Sequence, residues 1–190
     1  MACEATAYAR AGLMGNPSDG YFGKTISFVI RDFSAKVSLY ESPEVEIVPS
    51  FQDRSKYAGI RELVDDVESN GYYGGIRLMK AAIKKFYDHC QERRVTLPNR
   101  NFSVRYRSTI PRRLGMAGSS ALVTATIKCL MEFFDVDIPK PDLPNLILSV
   151  EMDELGITAG LQDRVIQVYE GLVYMDFARD LMEREGHGQY

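Results

Sequence analysis

Alternating hydrophobic and polar positions in the first quarter of the chain predict β-strands. Residues Ala5 to Leu13 form the first alternating run, and a loop rich in glycine and turn-forming residues follows at 15–20. We predict a strand for each of three further short runs: Lys24 to Ile30, Ala35 to Tyr40 and Val45 to Val48. The fold is therefore expected to begin with an antiparallel β section.

The pattern changes to a helical period after this section. Residues Phe51 to Gly59 are expected to be irregular. Along Tyr73 to Arg93, apolar residues recur at steps of three and four, with charged residues on the opposite face, as in a long amphipathic helix. Further helices are predicted at Ile60 to Ser69 (stopped by Asn70-Gly71), Ser119 to Phe134, Leu146 to Leu155 and Gly160 to Tyr169.

Two strands are predicted within the helical part. Phe102 to Ile110 is alternating and rich in β-branched and aromatic residues, and Leu172 to Phe177 is expected to close the fold. Asp135 to Asn145 carries three prolines and is predicted to be a connection. Strands first and helices after indicate an α+β fold. We expect one domain over residues 1–178 and a polar tail over 179–190 that frays.

Composition and charge exclude several classes of function. The 190 residues are 45% hydrophobic and 26% charged, as in an ordinary globular chain. A net charge of −3 with both signs mixed argues against a nucleic-acid surface. No apolar run reaches the roughly 18 residues of a membrane span, and the first residues lack the apolar core of a signal peptide. Three widely spaced cysteines suit reduced thiols in a cytoplasmic protein.

A glycine-rich loop precedes the Ser119–Phe134 helix. It reads Gly115-Met116-Ala117-Gly118-Ser119-Ser120-Ala121, with both serines expected at the N-cap and first turn of the helix. Free N–H groups and the dipole at a helix N-terminus attract anions, so the loop is a candidate phosphate cradle. A structural left-handed turn that caps a core helix explains the same residues, and the loop alone does not decide between the two.

Other phosphate-binding motifs do not fit. Residues Ser18 to Thr25 nearly match the pattern GxxxxGK[ST], but serine replaces the first glycine. A β-rich segment follows where that motif needs a helix. The dinucleotide-binding GxGxxG and the protein-kinase signatures are missing.

Acidic residues after the loop complete a candidate phosphoryl-transfer site. Such a reaction needs a phosphate cradle, a magnesium site and a group that accepts the proton of the attacking hydroxyl. Glu151 is expected to be half exposed, as a magnesium ligand or as a solvated helix charge. Asp163 is a candidate base or a structural first-turn aspartate. A charged base in a closed site needs a cation beside it. We expect Arg10 to be that cation and Arg164 to point elsewhere.

Three segments resemble the motifs of the GHMP kinases, which include galactokinase and the homoserine, mevalonate and phosphomevalonate kinases. Arg10 to Asp19 is similar to the N-terminal motif, Pro111 to Ala121 to the central phosphate-binding motif, and Gly160 to Asp163 to the turn with the catalytic aspartate. The resemblance covers nearly the whole chain. Within the family, the segments GNPSDGYFGKTISF, GMAGSSAL and ELGITAGLQDRVIQVYEGLVYMDF most resemble the glucuronokinases.

The resemblance implies a ribosomal-protein-S5-domain-2-like α+β fold and transfer of the ATP γ-phosphate to the anomeric hydroxyl of D-glucuronate. Asp163 would be catalytic, and Arg10 would keep it ionised. Ser120 and Glu151 would ligate Mg²⁺, while Asp19 and Asn16 would bind sugar hydroxyls. The residues that would wrap the phosphates are Gly115, Met116, Ala117, Gly118, Ser119 and Ser120.

The resemblance also implies a second, C-terminal domain with a third glycine-rich motif, which we expect this chain to lack. Two alternatives therefore stay open. One is a GHMP kinase for another sugar, such as galactose or arabinose. The other is a non-catalytic nucleotide-binding or dimerisation module, whose uncovered surface binds a second copy or the missing C-terminal half.

Overall fold

One five-stranded sheet carries the helices. The computed structural model describes residues 2–50, 53, 58–70 and 74–190. The strands are β1 Ala2–Met14, β2 Lys24–Glu41, β3 Glu46–Ile47, β4 Phe102–Ser108 and β5 Leu172–Asp176. Strand β2 pairs with β1 along one edge; along the other it pairs with β5 through residues 24–28 and with β4 through residues 35–41.

Strand β2 is one element where the sequence pattern predicted two. Its register against β1 jumps from the pair Tyr8–Ser34 to the pair Ala9–Ile30, so residues 31–33 form a bulge. A bulge inserts residues without ending the strand, so the two predicted runs belong to one strand. The short β3 pairs parallel with β4, so the expected antiparallel arrangement is wrong at that strand.

The helices in the described residues are α1 Ile60–Asn70, α2 Gly75–Glu92, α3 Gly118–Phe134, α4 Leu143–Ser149, α5 Leu161–Tyr169 and α6 Arg179–Glu185. A 3₁₀ turn spans Ser18–Tyr21 and a π-helical turn spans Val150–Glu154. The predicted helix at residue 60 is confirmed. Gly71, Tyr73 and most of the segment 51–59, which was expected to be irregular, lie outside the described residues.

Helix α3 is the centre of the core. It packs on β1 and β2 with one side and on α2 and α5 with others, so it is buried nearly all round. This environment explains why its sequence is apolar without a polar stripe. In its last turn the ring of Phe133 packs edge-on against the rings of Phe102 and Phe134, and the contact with Phe102 attaches the helix end to the sheet. The loop at its N-terminus is therefore attached to the helix at the centre of the core.

The segment predicted as one helix over residues 146–155 changes its winding part-way. Helix α4 begins earlier, at Leu143, and the chain widens into the π-helical turn from Val150. A π-turn rotates the side chains that follow relative to a regular helix. Here Glu151 is buried while Met152 and Asp153 are exposed, so the expectation of a half-exposed Glu151 is wrong.

The tail is ordered, which corrects the expectation that it frays. Residues 179–185 form α6, and the backbone of Gln189 pairs with that of Asp176. The ring of Tyr190 packs edge-on against Tyr169 and lies beside Phe177, and burial raises the pKa of Tyr190 to about 12. Together with Met182 of α6, the ring of Tyr190 gives the charged tail its apolar contacts with the core. None of the helices in the described residues is long and apolar enough to cross a membrane.

Candidate active site

The glycine loop enters α3 through two left-handed residues. Gly115 has φ +66°, and Ala117, directly before the helix, has φ 61°. An alanine in this conformation is uncommon and needs support from its surroundings. The first N–H groups of α3 have no partner inside the helix, and Ser119 and Gly118 line an open cleft there. The loop therefore caps α3 with a left-handed turn and also presents backbone N–H groups to the cleft. The structural and the phosphate-binding interpretations of its sequence are compatible.

Gln167 on α5 holds this turn in place. Its Nε2 donates to the carbonyl of Ala117 at 2.9 Å and to the carbonyl of Tyr8 at 3.3 Å, and its Oε1 accepts from Thr124 Oγ1 at 3.3 Å. The side chain is fully buried. One amide therefore joins the loop, β1, α3 and α5. The sequence analysis missed this residue, although a polar amide in the apolar run Val165–Val168 was a usable signal.

Arg10 and Asp163 lie together at the wall of the cleft. Both Nε and Nη2 of Arg10 contact Asp163 Oδ1 at 2.6 Å, and the two side chains are 13% and 21% exposed. The structure therefore joins two residues that are 153 positions apart, as the argument for a charge partner predicted. Burial raises the pKa of Asp163, Arg10 opposes that rise, and the nearby carboxylate of Asp19 adds to it.

Glu151 and Arg164 form a second, deeper ion pair. Arg164 Nη2 donates to Glu151 Oε2, and the side chains are 3% and 1% exposed for Arg164 and Glu151. Arg164 Nη1 also donates to the carbonyl of Gly160 at 2.9 Å and lies 3.6 Å from Asp163 Oδ2. Arg164 points mainly at Glu151, but the expectation that it avoids Asp163 is wrong, because its guanidinium touches both carboxylates.

The donors expected for magnesium have the right chemistry. A hydroxyl and a carboxylate are hard oxygen ligands, which suit Mg²⁺ when phosphate oxygens and water complete the shell. In the described residues, no group of three or more His, Cys, Asp or Glu side chains is arranged to hold a metal without such help. Ser120 and Glu151 are both 1% exposed. Ser120 Oγ donates to the carbonyl of Ala117 at 3.1 Å, and Glu151 is held by Arg164. Ser120 and Glu151 therefore carry donor atoms of the kind that Mg²⁺ binds. For the ion to bind Glu151, the ion pair of Glu151 with Arg164 would have to break or shift.

The residues expected to bind sugar lie beside the Asp163 turn. Asp19 is in the 3₁₀ turn, and its Oδ2 accepts from the backbone N–H of Gln162 at 2.9 Å. A Cβ at Gly160 would collide with this carboxylate, so glycine is needed there for the close approach. Asn16 is exposed, and its Cβ lies next to Gly12. The N-terminal loop is therefore packed against the segment that carries Asp163.

A cleft of about 510 Å³ is lined by the glycine loop, Arg10 and Asp163, and also by Asp53, Tyr106, Ile110 and Leu122. Of the residues predicted for the site, Asn16, Asp19, Ser120 and Glu151 are not among those that line it. Its volume is in the range of pockets that hold small organic ligands. Within this lining, the hydroxyl of Tyr106 donates a hydrogen bond to Asp53. Burial works against ionisation of Asp53, but hydrogen bonds from Tyr106 and Ser50 lower its pKa overall.

Comparison with known proteins places this architecture in a family. The chain belongs to the GHMP kinases, because the family profile described as "GHMP kinases N terminal domain" matches residues 77–171. It is 46% identical to "Glucuronokinase 1" of Arabidopsis thaliana, covering 100% of this chain and 53% of that protein. "Probable glucuronokinase 2" of the same plant is 47% identical, with coverage of 98% and 52%. The chain thus spans about half the length of these relatives.

Solved structures agree on the fold. A D-glycero-D-manno-heptose 1-phosphate kinase from Bacteroides thetaiotaomicron superposes with a TM-score of 0.71 at 19% identity, over 95% of this chain and 57% of that one. A Streptococcus pneumoniae phosphomevalonate kinase, in complex with phosphomevalonate and AMPPNP, gives 0.69 at 16% identity, over 92% and 49%. These comparisons confirm the α+β fold of a GHMP kinase N-terminal domain.

Proposed function

We propose that this chain is the nucleotide-binding and catalytic part of a sugar 1-kinase that transfers the ATP γ-phosphate to the anomeric hydroxyl of D-glucuronate. The observation that carries the proposal is the Arg10–Asp163 pair in the lining of a cleft that the N-terminus of α3 also lines. A base with a charge partner and a phosphate cradle are two of the three parts that phosphoryl transfer to a hydroxyl needs, and a magnesium site is the third. The identity to two glucuronokinases supports the choice of sugar.

In this proposal each group has one task. The N–H groups of Gly115 to Ser120 and the α3 dipole bind the ATP phosphates. Asp163 accepts the proton of the anomeric hydroxyl, whose oxygen forms the new bond to the γ-phosphorus. The bond from that phosphorus to the β–γ bridging oxygen breaks, and ADP leaves with the electron pair. Arg10 keeps Asp163 ionised and faces the charge that develops on the transferred group.

Ser120 and Glu151 are the proposed magnesium ligands, together with phosphate oxygens. When bound, Mg²⁺ supplies positive charge to the phosphates. Asp19 is the proposed sugar-hydroxyl acceptor, because its carboxylate is fixed beside the Asp163 turn and is close enough to affect the pKa of Asp163. Asn16, which is exposed in the same loop, is the proposed second contact.

We also propose that a C-terminal half, of the kind that the longer relatives have, covers the cleft in the active enzyme. Leu13, Met14 and Leu114 support this, because they are 60%, 67% and 68% exposed beside Arg10 and the glycine loop. A homodimer of this chain is the alternative cover. All three cysteines are buried and free, which supports a reducing compartment such as the cytoplasm.

The test is a phosphoryl-transfer assay of the purified protein with ATP and Mg²⁺ over free sugars and uronic acids, with products identified by ³¹P NMR. We expect glucuronate 1-phosphate as the main product, with less from galactose and L-arabinose. Asp163→Asn should remove the product. Asp153→Asn should not, because Asp153 is a 61% exposed carboxylate in the π-helical turn and pairs only with Lys85 at the surface in the described structure. Product from another sugar alone would reassign the substrate, and nucleotide binding without any product would favour a non-catalytic module.

A further inference from the structure

The guanidinium of Arg164 lies between two carboxylates. One of its terminal nitrogens contacts Glu151, and the other is 3.6 Å from Asp163. The group is 3% exposed, so water screens these contacts little. Its backbone anchor, the hydrogen bond to the carbonyl of Gly160, fixes it at the start of α5. A cation that belongs to the protein thus already contacts Glu151, the carboxylate proposed to ligate the metal.

The buried ion pair of this cluster is neutral by itself. Glu151 and Arg164 carry one negative and one positive charge, while Asp163 pairs with Arg10 and has the carboxylate of Asp19 nearby. A divalent ion bound to Glu151 would bring two more positive charges against Arg164 in a poorly screened site. The ion and the guanidinium therefore compete for one carboxylate, unless the ion arrives with its own negative charge, as it does on ATP.

We propose that Arg164 is a positioning residue that serves as a resident cation for Glu151 and is released towards Asp163 when a nucleotide-bound metal takes that carboxylate. The inference rests on the proposed function, since it concerns the metal of that reaction. The release needs little movement, because Asp163 Oδ2 and the Gly160 carbonyl are already within 3.6 Å and 2.9 Å of Arg164 Nη1. The guanidinium of Arg164 would then move closer to Asp163, the proposed base, which already pairs with Arg10.

With this arrangement, the metal should bind together with the nucleotide and only weakly on its own. A bare divalent ion has to break a buried ion pair and leave an excess of positive charge. The same ion on a triphosphate brings four negative charges with it. Wild-type protein should therefore have low affinity for free Mn²⁺, a spectroscopic substitute for Mg²⁺. Removing the guanidinium should raise that affinity, because Glu151 would then lack a cation.

The experiment measures free Mn²⁺ by electron paramagnetic resonance during titration of the purified protein, without nucleotide or sugar. We expect Arg164→Met to bind Mn²⁺ at least tenfold more tightly than wild type. The double variant Glu151→Gln with Arg164→Met should return to wild-type affinity or weaker. Arg31→Met is the matched control, since Arg31 is 61% exposed and pairs with Glu170; it should leave Mn²⁺ affinity unchanged. Equal affinity of Arg164→Met and wild type would overturn the proposal, as would tighter binding that persists in the double variant.

Loss of folding in Arg164→Met is handled by a second measurement. Circular dichroism then follows the variant during addition of Mn²⁺, because an ion that binds the native state shifts folding towards it. Recovery of the native spectrum supports the resident-cation role, and no recovery contradicts it. Neither titration uses ATP or sugar. A protein that phosphorylates nothing can still show the Mn²⁺ effect, so failure of the kinase proposal and failure of this one are distinguishable.

Discussion

The two ion pairs of the site share one turn of α5 but differ in burial. Asp163 points to the cleft wall, where it meets Arg10 from β1, and this pair keeps 13% and 21% of its side-chain surface exposed. Arg164, the next residue, points inward to Glu151 of the π-helical turn, and this pair is almost fully buried. Neighbouring side chains on a helix are about 100° apart. Asp163 can therefore face the cleft while Arg164, the next residue, points into the protein interior.

Because the two pairs differ in burial, we expect their mutation to affect different properties of the protein. A pair at the cleft can meet a substrate, so its removal should affect turnover more than folding. A buried pair is expensive to break, because either partner alone is an uncompensated charge in the interior. The contrast between the pairs is therefore measurable as a contrast between activity and stability.

The largest effect is expected from Asp163→Ala. It removes the proposed proton acceptor, and general-base catalysis contributes about 10²–10⁴-fold to rate. We expect kcat for sugar phosphorylation to fall by about that factor, while the circular dichroism spectrum and the melting temperature stay near those of wild type. Wild-type-like turnover would remove Asp163 from the mechanism and leave the cleft pair with a structural role.

The second-largest effect is on the free energy of unfolding, where the buried Glu151–Arg164 pair should matter more than the Arg10–Asp163 pair. Arg164→Ala leaves Glu151 buried without a cation and should lower the free energy of unfolding by about 3–5 kcal/mol. Arg10→Ala leaves Asp163 beside water and should lower it by less than half of that. Urea denaturation of both variants checks this. Equal destabilisation would mean that burial does not distinguish the two pairs.

A smaller effect is expected where Gln167 ties the glycine loop to α5. Gln167→Leu keeps the volume but removes the donor to the Ala117 carbonyl, and a buried hydrogen-bond partner lost in this way costs about 1–3 kcal/mol. The loop should lose its fixed left-handed turn, so KM for ATP should rise about tenfold while KM for the sugar changes little. Thr124→Val, which keeps the Gln167–Ala117 bond, should leave KM for ATP near wild type. Equal effects on both KM values would contradict a loop-specific role.

The smallest effect is a pH dependence of the cleft pair. Burial raises the pKa of Asp163 despite Arg10, so the folded protein holds a proton on this carboxyl more tightly than the unfolded chain does. Any stability from that form is present at low pH and is lost as pH rises through the folded-state pKa. Carboxylate ¹³C NMR should show a midpoint above that of an ordinary aspartate. Asp19→Asn should lower the midpoint and Arg10→Gln should raise it. An unchanged midpoint in both variants would show that neither Asp19 nor Arg10 affects the pKa of Asp163.

Local features of this fold were predictable from the sequence, and contacts between distant segments mostly were not. The apolar run of α3 and the glycines before it locate the loop, because both depend on neighbouring residues. The continuity of β2 depends on its pairing with β1, and the order of the tail depends on the contacts of Tyr190. Neither partner is near in the chain.

The site shows the same division. The pairing of Arg10 with Asp163 followed from the need of a buried base for a cation, and the structure has it. The burial of Glu151 did not follow, because a π-turn inside a helical pattern leaves no mark in the spacing of apolar residues. The contacts of Arg164 and Gln167 were not predicted either, since a charged or amide side chain on a helix is usually at the surface. For Gln167, the apolar residues on both sides were the one signal of burial.

The central claim is that the N-terminus of α3 binds the ATP phosphates, and isothermal titration with Mg-ATP tests it most directly. Gly118 lines the cleft, and a Cβ there would meet only Ile110, at 3.4 Å among its nearest atoms, so Gly118→Ala should fold and bind almost as wild type does. Gly118→Asp places a carboxylate at the helix N-terminus, which stabilises the helix but repels phosphate. We predict that Gly118→Asp binds Mg-ATP at least 100-fold more weakly than Gly118→Ala. Equal affinity of the two variants, or no Mg-ATP binding by wild type, would contradict the claim.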